Sequence, residues 1–232
     1  MRDDILLDMN SQQVTLLVFL DFTAVFDTVN HSMLLRVVRY RFGVGGTVLA
    51  WLGLYLSGRS QRIIVDGIRS RTYQLNSGVP QDSSLGPLLF NIYVSGLLDI
   101  VSNHAHVAVH AYADDFQVYL SSSPSSSANV EQAVQVIQDF AADIIVKSMV
   151  RQHSLKLNDG TTELLALGTR QQLSKINIRR LRVGDAIIAA STSVQNLGSY
   201  FDKDFIMATH VTKTCSAAFF HLHNIRQIRK FL

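Results

Sequence analysis

VTLLVFL at residues 14–20 is an unbroken run of β-branched and large apolar side chains, the pattern of a strand buried on both faces. It stops at Asp21. Before it, residues 2–10 read as a short helix with Asp3 and Asp4 in the first turn, where carboxylates suit the positive end of the helix dipole. Beyond Asp27, apolar Met33, Leu34, Val37 and Val38 recur at helical spacing, and a second helical pattern covers residues 48–56. Residues 61–75 hold two β-rich runs around Asp66-Gly67, a strong hairpin signal. A turn-rich segment over 76–86 leads into an apolar helix opened by Pro87. HVAVHAYADDFQVYL, 106–120, gives two strands that meet at Asp114-Asp115. Residues 121–127 read as a flexible, serine-rich surface loop, and a further helix follows with Val130, Val134, Ile137, Ala141, Ile144 and Ile145 on its apolar stripe. Short strands, including ELLALG and VQNLGSYF, and a basic helix complete the chain.

With 47% apolar and 17% charged residues over 232 positions, the chain can bury a sizeable core. The single cysteine, Cys215, leaves no internal disulfide partner and implies a reducing compartment. The longest nearly uncharged apolar stretches fall short of the ~20 residues that span a bilayer, so no membrane association is expected. Net charge hides an asymmetry: residues 1–146 carry 8 Lys+Arg against 13 Asp+Glu, a net of −5, and residues 147–232 carry 13 against 5, a net of +8. A polyanion held beside a carboxylate site suits that separation.

Asp21, Asp114 and Asp115 each end an apolar strand, where ionised carboxylates need a cation or a proton. Oxygen ligands select a hard ion such as Mg²⁺, and two such ions about 3.5–4 Å apart drive in-line phosphoryl transfer. Each piece alone has an ordinary explanation as a solvated turn or strand end; only the combination is informative.

LDFTAVFDTVNH (20–31), SGVPQDSSLGPLLFNIY (77–93), AYADD (111–115) and LKLNDGTTELL (155–165) occur in that order, and together they resemble the reverse transcriptase of non-LTR, LINE-type retrotransposons, the jockey-like kind. NLGSYFD (196–202) and the basic helix behind it are similar to that family's primer grip and the start of its thumb. The resemblance implies an α+β fold, a polymerase palm-like antiparallel sheet with helices on one face. It places the palm over 1–204, with a partial fingers insertion at about 40–75, and the start of a thumb over 205–232. It implies RNA-directed DNA polymerisation, with Asp21, Asp114 and Asp115 as catalytic, metal-holding residues and the Phe22 carbonyl as a further metal ligand. Phe26 is implied as the steric gate against a ribose 2′-OH, and Gly78, Pro80 and Gln81 as the turn lining the incoming nucleotide. The cofactor would be Mg²⁺, or Mn²⁺ in its place; the partners would be an RNA template, a DNA primer and dNTP. The place of action would be intracellular and nuclear.

Three departures from the family pattern stand against full activity. Asp82 takes the place of the glycine after Pro-Gln, bringing a charge where a triphosphate would approach, and Thr161 replaces a lysine that would protonate pyrophosphate. The short run ahead of the first motif further leads to the expectation that this is a truncated copy without upstream fingers strands or an endonuclease. The alternative function is thus an impaired polymerase that binds nucleic acid nonspecifically. Asp27 and Asn30 of the first motif are explained equally well as helix caps. Weaker signals are the evenly spaced His104, His106 and His110, the Trp51/Tyr55 pair, and Arg179, Arg180 and Arg182.

Overall fold

A computed structural model describes residues 1–229 apart from Ala105, Asp114, residues 151–155 and Asp159. Its first half runs α1 (Arg2–Asn10), β1 (Val14–Leu20), β2 (Phe22–Thr23), α2 (Val25–Thr28), α3 (His31–Tyr40), α4 (Gly46–Leu56), β3 (Ser60–Gln61), β4 (Ile64–Val65), β5 (Ile68–Arg69), β6 (Tyr73–Gln74), α5 (Gly86–Val94) and a 3₁₀ turn (Leu98–Asn103). Then follow β7 (Ala108–Tyr112), β8 (Asp115–Ser122), α6 (Ser127–Val150), β9 (Lys156–Leu157), β10 (Glu163–Leu167), α7 (Arg170–Leu173), β11 (Arg180–Val183), β12 (Ala186–Ser191), β13 (Ser193–Asn196), β14 (Ser199–Asp202) and α8 (Ala208–Ile228). The elements expected from the sequence are present, and they group into two compact units.

One unit comprises Met1–Phe19, Val118–Ile137 and Glu163–Leu232. Its strands lie in the order β11-β12-β10-β1-β8. β1 pairs antiparallel with β10, from Thr15 opposite Leu167 to Phe19 opposite Glu163. β11 and β12 are also antiparallel, whereas β10 and β12 run parallel, so a parallel join stands between two antiparallel ones. Every residue of β1 is buried, as its unbroken apolar run requires of a central strand. Thr15 escapes an unsatisfied hydroxyl by bonding Ser121 at 2.9 Å.

Helix α1 is held to β8 less by apolar surface than by side-chain polar bonds. Only Ile5 of the helix is buried. Asp4 accepts the Tyr119 hydroxyl at 2.8 Å, and Asp8, one turn on, accepts that of Ser121. Burial, first, and the adjoining Asp4 and Asp8 charges push the Tyr119 phenol well above its ordinary value. The serine-rich loop is shorter than expected: only residues 123–126 lie outside secondary structure, and Pro124 is buried. β13 and β14 turn through Leu197-Gly198, both at positive φ, the geometry of a tight hairpin turn. The basic helix α8 buries no residue.

The other unit comprises Leu20–Gln117 and Gln138–Thr162. Its core is helical: Leu34 and Val38 of α3, Leu52 and Leu56 of α4, Leu89, Phe90, Tyr93 and Val94 of α5, and Phe140, Ala141 and Ile144 of α6 are all buried. The apolar periodicity of the sequence is therefore a helix-packing pattern here. Asn30 caps α3, accepting from the Met33 amide at 3.0 Å, the capping role of the two left open for it. The Asp66-Gly67 hairpin forms as read, with both residues at positive φ between β4 and β5, and β3 pairs with β6 below it. β3, β4, β5 and β6 have no buried residue. Among the described residues no helix is long and apolar enough to cross a membrane.

Candidate active site

Asp21 follows the last residue of the buried strand β1, and Asp115 is the first residue of β8; both are half-buried. The residue after each is an aromatic anchor. Phe22 and Phe116 are buried and meet edge to face, ring centroids 5.4 Å apart. That contact fixes the two strand ends as neighbours and so brings the segments of Asp21 and Asp115 together. Asp114 lies outside the described residues. Ala113, before it, has φ +53, a left-handed conformation that costs an L-residue roughly 1–2 kcal/mol. Such strain between β7 and β8 is typical of functional turns.

The Asp21 carboxylate is held from one side. Thr161 Oγ1 donates to Asp21 Oδ2 at 2.6 Å, and Asn158 Nδ2 makes a longer contact of 3.4 Å with the same oxygen. The backbone is tied as well: the Asn158 amide donates to the Asp21 carbonyl at 2.8 Å, and Phe22 pairs with Leu157 across β2 and β9. Oδ1 accepts no hydrogen bond from a described residue. Hard carboxylate oxygen with a free lone-pair face suits Mg²⁺ or Mn²⁺, so the donor chemistry at Asp21 fits the implied ion. Among the described residues no group of three or more His, Cys, Asp and Glu side chains converges as a metal cluster.

The nucleotide-side turn is built from backbone. Gly78 has φ +88, and a Cβ there would lie 3.0 Å from both Cα and the carbonyl oxygen of Asp27. The Gly78 amide donates to the Val29 carbonyl, and that of Val79 to the Phe26 carbonyl, each at 2.8 Å. Its own carbonyl accepts from His31 Nε2 at 2.7 Å and from Arg59 Nη1 at 2.8 Å. Since a carbonyl can only accept, the His31 proton sits on Nε2. Gln81 Nε2 donates to Asp27 Oδ1 at 3.1 Å, so Asp27 positions a glutamine rather than capping a helix. Ser83 Oγ closes the turn, donating to the Pro80 carbonyl and accepting from the Gly86 amide.

Phe26, Pro80, Gln81, Asp82, Ser83 and Pro87 line a cavity of about 230 Å³. Phe26 is half-buried, its ring tilted on Phe90 at 5.1 Å, and it lines that space. Asp82 is exposed, has φ +55 and makes no hydrogen bond or ion pair with a described residue. It occupies a conformation that glycine takes without strain, where the resembled family has glycine. Below the turn Tyr93 is fully buried; its hydroxyl accepts the Asn30 amide at 3.2 Å, and burial pushes its pKa up to about 12.

Phe22, Phe26, Gly78, Pro80 and Gln81 thus sit on two connected segments, while His31, Arg59 and Asn158 were not anticipated as parts of the arrangement. His31 and Asn158 fall inside the first and last of the ordered motifs, and Arg59 lies in an arginine-rich stretch between residues 36 and 71 that does not single it out. The three histidines share no strand face. His104 follows the 3₁₀ turn, pairs with Asp143 at 2.9 Å and packs edge-on against Phe140, and β7 begins only at Ala108.

Residues 3–198 match the model of the family described as Reverse transcriptase (RNA-dependent DNA polymerase). The chain is 25% identical over 215 residues to the Probable RNA-directed DNA polymerase from transposon BS of Drosophila melanogaster, covering 90% of this chain and 22% of that protein. It is 29% identical over 126 residues to the RNA-directed DNA polymerase from mobile element jockey of Drosophila funebris, 53% of this chain and 13% of that one. The chain therefore spans less than a quarter of the curated relatives it matches. Among solved structures it is similar in fold to apo telomerase from Candida tropicalis truncated from the C-terminal domain, with TM-score 0.56, 13% identity, and coverage of 87% of this chain and 38% of that one. With the match extending over most of its residues, the chain belongs to the reverse transcriptase (RNA-dependent DNA polymerase) family, in the branch of the non-LTR retrotransposons.

Proposed function

We propose that this chain is the nucleotidyl-transfer domain of an RNA-directed DNA polymerase, joining dNTP to the 3′-OH of a DNA primer along an RNA template. The observation that carries the reading is the Phe22–Phe116 contact, which joins the strand ends bearing Asp21 and Asp115. Asp21, Asp114 and Asp115 hold the divalent ions, with the Phe22 carbonyl as an added ligand. Mg²⁺, or Mn²⁺, supplies when bound the positive charge that favours the 3′-alkoxide and the departing pyrophosphate. The Phe26 ring limits the cavity it lines and excludes a ribose 2′-OH. The turn of Gly78, Pro80 and Gln81 seats the nucleotide, its shape fixed by His31, Arg59 and Asp27.

Primer extension on poly(rA)/oligo(dT) with Mg²⁺ tests this reading. Asp21→Asn and Asp115→Asn are each expected to cut incorporation about 100-fold, ~2.7 kcal/mol of barrier. Incorporation unchanged by both rejects the assignment. A second reading, an impaired polymerase that retains nonspecific nucleic-acid binding, is favoured by Asp82 on the wall of the cavity. Its binding falls about 10³–10⁵-fold between 50 and 200 mM salt if 6–10 phosphates are contacted. A flat salt response removes it.

A further inference from the structure

We propose that Thr161 is a positioning residue for the cation-binding carboxylate of Asp21. This rests on the reading of Asp21 as a metal ligand and adds what fixes that ligand.

The Thr161 hydroxyl donates to Asp21 Oδ2 at 2.6 Å, within the short range of charge-assisted O–H···O⁻ bonds. Thr161 is not a loosely placed neighbour. Its amide donates to the Asn158 carbonyl at 3.2 Å, and the Thr162 amide and hydroxyl converge on the same carbonyl at 3.0 and 2.9 Å. Asn158 in turn donates its own amide to the Asp21 carbonyl. Asn158, Thr161 and Thr162 are thus tied to one another and, through Asn158, to the backbone of Asp21, with the Thr161 hydroxyl 2.6 Å from the Asp21 carboxylate and 3.3 Å from the Asn158 carbonyl. A carboxylate has about four lone-pair sites on two oxygens. Thr161 and Asn158 both address Oδ2, so Oδ1 is the oxygen presented for a monodentate bond to a hard ion.

The consequence is pre-organisation. Asp21 is half-buried at the end of a strand, and its carboxylate would otherwise rotate between solvent and site. A donor that holds the ligand's second oxygen removes that freedom before the ion arrives, as hydrogen bonds behind metal ligands generally do, at 10–100-fold in affinity. The lysine of the family at this place offers a charge for proton transfer; the threonine offers a neutral, short anchor instead. The exchange loses an acid and gains a fixed ligand.

Mn²⁺ binding to the purified chain, followed by electron paramagnetic resonance, tests this without reference to turnover. Thr161→Val, which keeps the shape and removes the donor, is expected to raise the dissociation constant about tenfold. Thr161→Ser, which keeps the hydroxyl, is expected to bind as the parent chain does. Thr161 is exposed, so a loss in the valine variant that serine rescues is not a folding effect. Valine and parent chains of equal affinity, with Asp21→Asn binding lost, overturn the proposal while leaving the cation reading intact. Binding that survives Asp21→Asn, or a parent chain that takes up no Mn²⁺, overturns the cation reading and the proposal with it.

Discussion

The turn around Asp82 and the loop around Thr161 both carry a side chain foreign to the family pattern, and the fold treats them oppositely. Asp82 stands at φ +55 on a cavity wall, exposed and without a described partner. Thr161 is bonded through its amide and its hydroxyl, and the hydroxyl ends on Asp21. A substitution that needs positive φ leaves a conformational penalty that no neighbour can remove. One in an ordinary turn can be absorbed by local hydrogen bonds. Chemical change alone does not decide the damage. The backbone conformation required at the position decides it.

The largest effect should come from forcing the first kind of penalty where space is also absent. Gly78→Ala adds a Cβ 3.0 Å from backbone atoms of Asp27 at φ +88, so a tight contact with main chain adds to the strain of the left-handed conformation. A loss of about 3 kcal/mol is expected, lowering the melting temperature by roughly 6–12 °C. A variant that melts like the parent would show that the turn tolerates side chains generally and would erase the contrast with Asp82.

Reversing each departure sharpens the comparison further. Asp82→Gly relieves the left-handed aspartate and removes a charge from the cavity, so it should stabilise by about 1 kcal/mol and raise incorporation about tenfold. Thr161→Lys should not help in the same way. An ammonium on a side chain from position 161, whose hydroxyl already reaches Asp21, pairs with that carboxylate and competes with the divalent ion, weakening Mn²⁺ affinity. Urea melts, primer extension and Mn²⁺ titration read these out. Equal gains from both reversions would mean that Thr161 is mere loss of an acid.

The sequence made some of this legible and hid the rest for identifiable reasons. β1 could be read because a central strand leaves its whole apolar run in one word, and the Asp66-Gly67 hairpin because its turn demands particular residues. Asp82 was visible as a departure, but its positive φ was not, since outside an Asp-Gly hairpin pair an aspartate takes ordinary turns as readily as left-handed ones. The partners of Gly78 were hidden because a backbone carbonyl has no sequence identity: His31 and Arg59 reach it across 47 and 19 positions. The bond from Thr161 to Asp21 spans 140 positions, and a motif that marks a missing lysine says nothing of what the threonine touches. Asp27 was legible as part of a motif, but its role stayed open between cap and site because its partner, Gln81, is 54 residues away.

The smallest effect concerns the carboxylate two residues beyond Thr161. Glu163, opposite Phe19 on β1, is half-buried, and desolvation raises its carboxyl above the ordinary value of 4.5. The folded chain therefore holds this proton to higher pH than the unfolded chain does. Its cost to stability is absent below pH 4.5, grows as pH climbs from there through the raised folded value, and is constant above it. Glu163→Gln removes the cost and keeps the shape. It should raise the melting temperature at pH 7 and leave it unchanged at pH 4. Asp82→Gly acts through backbone conformation at an exposed site, so its gain in stability should persist at both pH values. If the two gains share one pH profile, then charge rather than backbone geometry governs both, and the distinction between the two regions fails.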